Sequence, residues 1–223
     1  MDSPAPPPSP SAVWVFGNQP LPQTVSLARI LRRLAARALS LEHEDEGVAR
    51  LIEGLSATER ALAQQGPSDP TPRIGPNPGP DQRVYLDHGR DIGRYNPCFP
   101  EYEIRVEGEH ASGTVSFPLI FEGPPSLVHG GFLAVFFDCV IQHHNCDYGT
   151  AGKTTALNIE YLRPTPILRT LQFEIDRTSD ARRITSTASI ELDGSVLSRA
   201  TMEAVVGDRS RLPEVSPRRP DRQ

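Results

Sequence analysis

The stretch "VHGGFLAVFFDCVIQHHN", residues 128–145, narrows what this chain can fold into more than any other segment. Phe132, Leu133, Val135, Phe136, Phe137, Val140 and Ile141 cover most of a helical circumference, so the pattern predicts a helix enclosed on nearly all sides. Enclosure requires a surface that curves around the helix. Asp138 lies in the middle of the run, and a carboxylate in such surroundings is paired, neutralised or put to use.

The flanking residues supply the curved surface. "EYEIRVEG" and "HASGTVSFPLIF" read as strands joined by a turn at Gly108. After the helix come "KTTALNIEYL", "ILRTLQFEIDRT", "RRITSTASIEL" and "SVLSRATMEAVV", with "LDGS" as a hairpin turn between the last two. One apolar helix between a hairpin and a run of strands predicts an α+β fold, a curved antiparallel sheet wrapped around one long central helix. N-terminal to this, Leu27, Ile30, Leu31, Leu34 and Ala38 recur at helical spacing, with Arg29, Arg32, Arg33 and Arg37 on a solvated face. Val48, Leu51, Ile52 and Leu55 continue the helical pattern beyond a hinge at "LEHEDEG", and the Ser56 to Glu59 spacing predicts a restart with a capping box. The expected organisation is a disordered Pro-rich N-terminus over 1–23, a helical extension over 24–66, a Pro/Gly linker over 67–82, the α+β domain over 83–207 and a mobile tail over 208–223.

Composition removes several classes of function. A net charge of −5 gives no reason to expect nucleic acid as a partner. No segment approaches the roughly 18 apolar residues of a membrane span, and "MDSPAPPPSP" has neither the basic nor the apolar region of a secretory signal. Three cysteines do not make a disulfide framework. Cys139 and Cys146 stand about 10 Å apart on one helix, too far to bridge. A cytoplasmic setting is expected.

The "HGG" that opens the helix has a physical use. The first N–H groups of a helix lack intrahelical partners and carry the positive end of its dipole, and glycine lets a ligand carbonyl approach the backbone closely. That is the chemistry of an oxyanion hole for a thioester or ester, with Asp138 as the base or nucleophile. Gly130 and Asp138 are eight residues apart, about 12 Å along a helix, so they cannot meet one carbonyl carbon from the same chain. A shared site therefore needs two antiparallel helices across a twofold axis, that is, a homodimer or a dimer of dimers.

"GPPSLVHGGFLAVFFD" followed by "TTALNIEYLRPTP" resembles the hotdog-fold acyl-CoA thioesterases. Within them it is similar to the PaaI-type group. The resemblance covers roughly residues 95–207 and rests on the H-G-G-x(6)-D spacing from His129 to Asp138, on Thr154 and on Tyr161 to Pro164. It implies Asp138 as the catalytic carboxylate and the Gly130 N–H as the donor to the thioester carbonyl, from different subunits. It also implies that Thr154 helps to place water or the carboxylate. Some relatives carry an Asn where this chain has Gly123.

The expected catalytic set is thus Asp138, Gly130, His129 and Thr154, with His129 fixing the loop rather than shuttling protons. Gly131, Thr155 and Arg163 are candidate substrate contacts, Arg163 and Lys153 toward the phosphates of coenzyme A. On strict strand alternation Thr154 faces away from Thr155, Leu157, Ile159 and Tyr161, which leaves open the face that meets the helix. His143, His144 and Cys146 lack a matching second cluster, so no metal is expected, and no redox cofactor is implied. The absence of a G-x-S-x-G elbow disfavours a serine hydrolase. The expected activity is hydrolysis of an apolar, fatty or aryl, acyl-CoA to free acid and coenzyme A. A non-catalytic acyl-CoA-sensing module is the alternative.

Overall fold

The structure, a computed structural model, describes residues 20–65, 89–149, 151–180 and 182–206. Most of the Pro-rich N-terminus and the whole of the linker and the tail lie outside these. The described residues fall in two compact units, 21–41 with the described part of 89–206 in the larger and Pro20 with 42–65 in the other.

The larger unit is built on six antiparallel strands: β1 (Tyr102–Glu107), β2 (His110–Ser116), β3 (Lys153–Tyr161), β4 (Thr170–Asp180), β5 (Arg183–Leu192) and β6 (Ser195–Val205). They form one sheet in the order β1-β2-β4-β5-β6-β3. Gly108 takes the left-handed conformation in the first turn, and Asp193 and Gly194 both have positive φ between β5 and β6, as a two-residue hairpin loop requires. Beyond Ser116 the strand pattern fails. Pro118 leads into a short 3-10 turn over Leu119–Phe121, because proline cannot donate to the ladder.

The helix of the opening stretch runs over Gly130–Tyr148, and a four-residue turn, Ile92–Tyr95, precedes β1; with the two N-terminal helices, Pro22–Ala38 and Glu46–Gln64, these are α4, α3, α1 and α2. Along β4 the buried residues are Leu171, Phe173, Ile175 and Arg177, at strict period two. Against this face α4 sets Leu133, Phe136, Phe137, Val140 and Ile141, all 2% exposed or less. Complete burial of a side chain of this size is worth about 1.5–3 kcal/mol, so packing rather than intrinsic propensity holds a helix rich in Phe, Val and Ile. Phe136 stands at the centre of an aromatic cluster with Phe99, Tyr102, Phe117 and Phe173.

The helix is not enclosed, contrary to the expectation from its composition. Phe132 and Val135 are 38% and 50% exposed. A sheet covers one side of a helix, and in the single chain the stripe through Gly131, Phe132 and Val135 faces outward. Asp138, Cys139 and Gln142 lie half-buried along the continuation of that stripe.

Two further expectations are corrected at the N-terminus. Arg32 is not on a solvated face: it is 4% exposed. Its guanidinium donates to the carbonyls of Phe99, Gly93 and Asn96 at 2.9, 2.7 and 2.9 Å, which ties α1 to the loops around α3. Leu27 and Ile30 are left half-exposed instead. The other unit contains α2, which runs without a break through Ser56 and Glu59, so no new helix starts there. Its cap is Asp45, whose carboxylate accepts from the N–H groups of Gly47 and Val48 at 2.7 and 3.1 Å. No helix among the described residues is long and apolar enough to cross a membrane.

Candidate active site

The loop before α4 is pinned by its own backbone. The N–H of Gly123 donates to Leu127 O, that of Val128 to Thr165 O and that of His129 to Phe121 O, all at 2.8–2.9 Å. A Cβ on Gly123 would come within 2.8 Å of His129 Cα, so an Asn has no room here without a shift of the loop. His129 is the N-cap of α4, and its Nδ1 accepts from the Gly131 N–H at 3.0 Å. That bond occupies the Gly131 donor. The Gly130 N–H has no acceptor among the described residues, and it carries the positive end of a 19-residue helix.

Gly130 lines an open cleft of about 400 Å³, together with Leu127, Leu133, Tyr161, Arg163 and Thr165 among others. Tyr161 donates its hydroxyl to Gly130 O at 2.9 Å, and a Cβ on Gly130 would stand 3.2 Å from the phenol ring. Arg163 is exposed and one of its Nη atoms donates to Val196 O at 2.7 Å.

Asp138 lies farther along the same helix, and Thr154 donates to its Oδ1 at 3.0 Å. The contact exists because β3 breaks strict alternation. The register with β6 passes from Thr154↔Ala204 to Ala156↔Glu203, so Thr155 is the extra residue of a β-bulge. Thr154, Leu157 and Ile159 therefore pair with Ala204, Met202 and Ala200, which are all buried residues on the helix side. Thr155 stands apart from this group, exposed, with its hydroxyl on Glu203 O at 3.1 Å. One turn beyond Asp138, Gln142 donates from Nε2 to Thr154 Oγ1 at 2.8 Å and to Gly152 O at 3.0 Å.

The structure thus joins Asp138 to Thr154, and Gly130 and Gly131 to His129, Tyr161 and Arg163. It keeps the two groups at opposite ends of the first two turns of one helix. Sequence reasoning overlooks Gln142, and it notes Tyr161 as part of the motif without a role beside Gly130. Gln142 is four residues beyond Asp138 and so on its face, a signal that was available. The place of Tyr161 is found only by knowing how β3 lies against the start of α4.

The neighbouring groups are not reactive alternatives. Burial, and after it the charge of Asp138, pushes the Cys139 thiol up to about 11, so it stays protonated. His143 bonds Tyr102 and His144 bonds Gly108 O, and both rings are buried away from the cleft's Gly130. Among the described residues no three His, Cys, Asp or Glu side chains converge on a metal-sized site.

No protein-family model matches the sequence, and no curated protein sequence matches it either. Solved structures do. The crystal structure of a thioesterase superfamily protein aligns over 89% of this chain and 98% of its own, at 25% identity and a TM-score of 0.69. A hypothetical thioesterase from Streptococcus pneumoniae, crystallised with coenzyme A, aligns over 49% of this chain and 91% of its own, at 21% identity and a TM-score of 0.45. The PaaI protein of E. coli aligns over 47% and 82%, at 18% identity and 0.44. The six-stranded antiparallel sheet on one long helix, and the likeness over nearly the whole of a thioesterase superfamily structure, place this chain in the hotdog thioesterase superfamily.

Proposed function

We propose that the protein is a cytoplasmic, homodimeric acyl-CoA thioesterase that hydrolyses an apolar, fatty or aryl, acyl-CoA. One observation carries the reading: a hydroxyl-supported carboxylate at Asp138 and an unoccupied helix N-terminal donor at Gly130 share a partly exposed helix face. Their separation of about 12 Å forbids joint action within one chain but suits two copies of α4 packed antiparallel. The midpoint between residues 130 and 138 is 134. A twofold axis there brings Asp138 of one copy to Gly130 of the other and sets the exposed Val135 of both copies near the axis.

In the proposed reaction Asp138 takes a proton from water as the water attacks the thioester carbonyl, or attacks that carbonyl itself to give an anhydride that water then opens. The Gly130 N–H across the interface holds the oxyanion. Collapse expels the coenzyme A thiolate, which takes up the proton. Thr154 is the positioning group that occupies Oδ1 and leaves Oδ2 for the reaction. His129 acts as the cap that shapes the loop. Gly131, Thr155 and Arg163 remain candidates for contacts with the rest of the substrate. The apolar walls of the cleft, Leu127 and Leu133, suit an apolar acyl group. Water is the only co-reactant, and neither a metal nor a redox cofactor has a role.

The test is thiol release from acyl-CoAs of short, medium, long and aryl type, by wild type and Asp138→Asn. Turnover that falls by ~10²-fold or more in the variant, with fold and dimer retained, supports the reading. Wild type that binds acyl-CoA but releases no thiol from any of them would leave a ligand-sensing module in its place.

A further inference from the structure

Gln142 fixes the direction of the hydrogen bond on which Asp138 depends. Its Nε2 lies 3.0 Å from Gly152 O and 2.8 Å from Thr154 Oγ1. A carbonyl oxygen can only accept, so the amide must present its NH2 end there, and both of its hydrogens are used. The Thr154 hydroxyl, already accepting from Gln142, has to send its own proton elsewhere. Two acceptors are in reach: Asp138 Oδ1 at 3.0 Å and Met202 Sδ at 3.8 Å. A carboxylate is much the stronger acceptor, and a thioether is a weak one. The donors therefore run one way, from Gln142 to Thr154 to Asp138, with the far end anchored on a main-chain carbonyl.

We infer that Gln142 is a positioning residue for the proposed hydrolysis, acting through Thr154 to hold the Asp138 carboxylate with Oδ1 occupied and Oδ2 available. The inference rests on the thioesterase reading above. It makes Gln142 necessary for a definite geometry rather than for reactivity of its own. Without the amide the hydroxyl can rotate toward Met202 or accept from solvent, and Asp138 loses a fixed partner. The bulge after Thr154 serves the same end, because it alone turns that residue toward the helix.

A merely structural Gln142 would tie α4 to the start of β3 and nothing more, and the two roles separate in a double-mutant cycle. The variants are Gln142→Met, which keeps the length of the side chain without a donor, Thr154→Val, the pair together, and Thr154→Ser as the conservative control. The readouts are kcat and KM for thiol release from the best acyl-CoA, and Tm. Expected is a fall in kcat of about 10-fold for Gln142→Met with KM within about twofold. A similar fall is expected for Thr154→Val, no further fall in the double variant, and near wild-type kcat for Thr154→Ser. An unchanged kcat in Gln142→Met, or losses that multiply in the double variant, overturns the inference. If Asp138→Asn abolishes turnover while Gln142→Met does not, the thioesterase reading stands and this inference alone falls. If wild type releases no thiol from any acyl-CoA, both fall.

Discussion

Two sets of polar residues interrupt the apolar helix α4 within eight positions, and they differ in what is left over after folding. Asp138 and Gln142 sit half-buried on the outward stripe, and one carboxylate oxygen of Asp138 has no partner among the described residues. His143, His144 and Asn145 point inward and are 3% exposed or less; each makes a bond to the fold, and the two atoms left over, His144 Nδ1 and Asn145 Nδ2, are sealed from solvent. Burial pushes the Tyr102 phenol well above its ordinary value, so it stays protonated and donates to His143 Nδ1 at 2.8 Å. His144 Nε2 donates to Gly108 O at 2.9 Å, and Asn145 accepts from Arg177 Nε at 2.9 Å. Buried polar groups bonded to the fold specify its architecture, and atoms sealed inside it are out of reach of a substrate. A carboxylate with an open oxygen next to an uncovered apolar stripe has capacity for a second chain and a substrate. Changes on the outward stripe should therefore alter turnover and assembly, and changes in the inward set should alter stability.

The largest effect is expected at Val135, which supplies no group to the proposed reaction. In the proposed dimer Val135→Arg puts two like charges near the twofold axis, a penalty of several kcal/mol against association. Since Val135 is 50% exposed in the single chain, the protomer itself should fold normally. Sedimentation velocity should show a folded monomer whose Tm is lower only by the lost association, and thiol release should fall by about 10²-fold or more at concentrations where the proposed dimer forms in wild type. A monomer with full activity would break the comparison at its outward half.

The inward set should show itself through pH. Burial lowers the pKa of both His143 and His144 below the ordinary 6.5; for His143, Asp147 and Asp91 oppose this and Arg90 adds to it. The folded protein thus keeps both rings neutral where the unfolded chain already takes up protons. Because the unfolded state binds more protons in that window, stability rises with pH across it. It should be constant above about pH 7 and fall below about 6.5, by at most about 1.4 kcal/mol per pH unit for each histidine. Urea midpoints between pH 5 and 7.5 measure this. His144→Gln keeps a donor for Gly108 O and removes one titration, so the slope should fall by about half.

Asn145→Ala is the corresponding substitution without a titration. It takes from the buried Arg177 Nε its side-chain acceptor, which should cost about 1–3 kcal/mol. The kcat per folded molecule should be unchanged, in contrast to any substitution at Asp138. A loss of kcat without a loss of stability would mean that the inward set reaches the chemistry.

Much of this division could be read from the sequence, and the parts that could not have physical causes. The strands, the turn at Gly108, the "LDGS" hairpin and the start of α4 at Gly130 were legible because each has a local signal. So was the pairing of a helix N-terminus with Asp138, since it depends on spacing along one helix. The outward stripe was not legible, because Phe132 and Val135 are as apolar as Phe136 and Phe137. Composition does not distinguish a face covered by the sheet from one left open in the single chain. Thr154 was ambiguous for a different reason: an insertion of one residue reverses the face of everything beyond it, and a bulge has no reliable sequence mark. Arg32 misled for a third reason. Three main-chain carbonyls from residues 61 to 67 positions away solvate its guanidinium, and no local pattern announces them.

The smallest effect separates two roles for His129, at the junction between the outward stripe and the loop. As a cap it needs only an acceptor for the Gly131 N–H; as a proton shuttle it needs an imidazole. Asn is among the best N-cap residues, and Ala is among the worst, with a cost of about 0.5–2 kcal/mol. If His129 is a cap, His129→Asn should keep both stability and kcat within about twofold, while His129→Ala loses about 1 kcal/mol. His129→Ala should also raise KM, since an uncapped helix end and a loosened loop both displace Gly130. A shuttle predicts equal loss of kcat in the two variants, with the acidic limb of the pH–rate profile changed in both. Because His129 is exposed and its ring packs against Phe132 on the outward stripe, either variant should leave the inward set untouched. The pH dependence of the urea midpoint should then match wild type, so that any shift in it would show that the two regions of α4 are coupled.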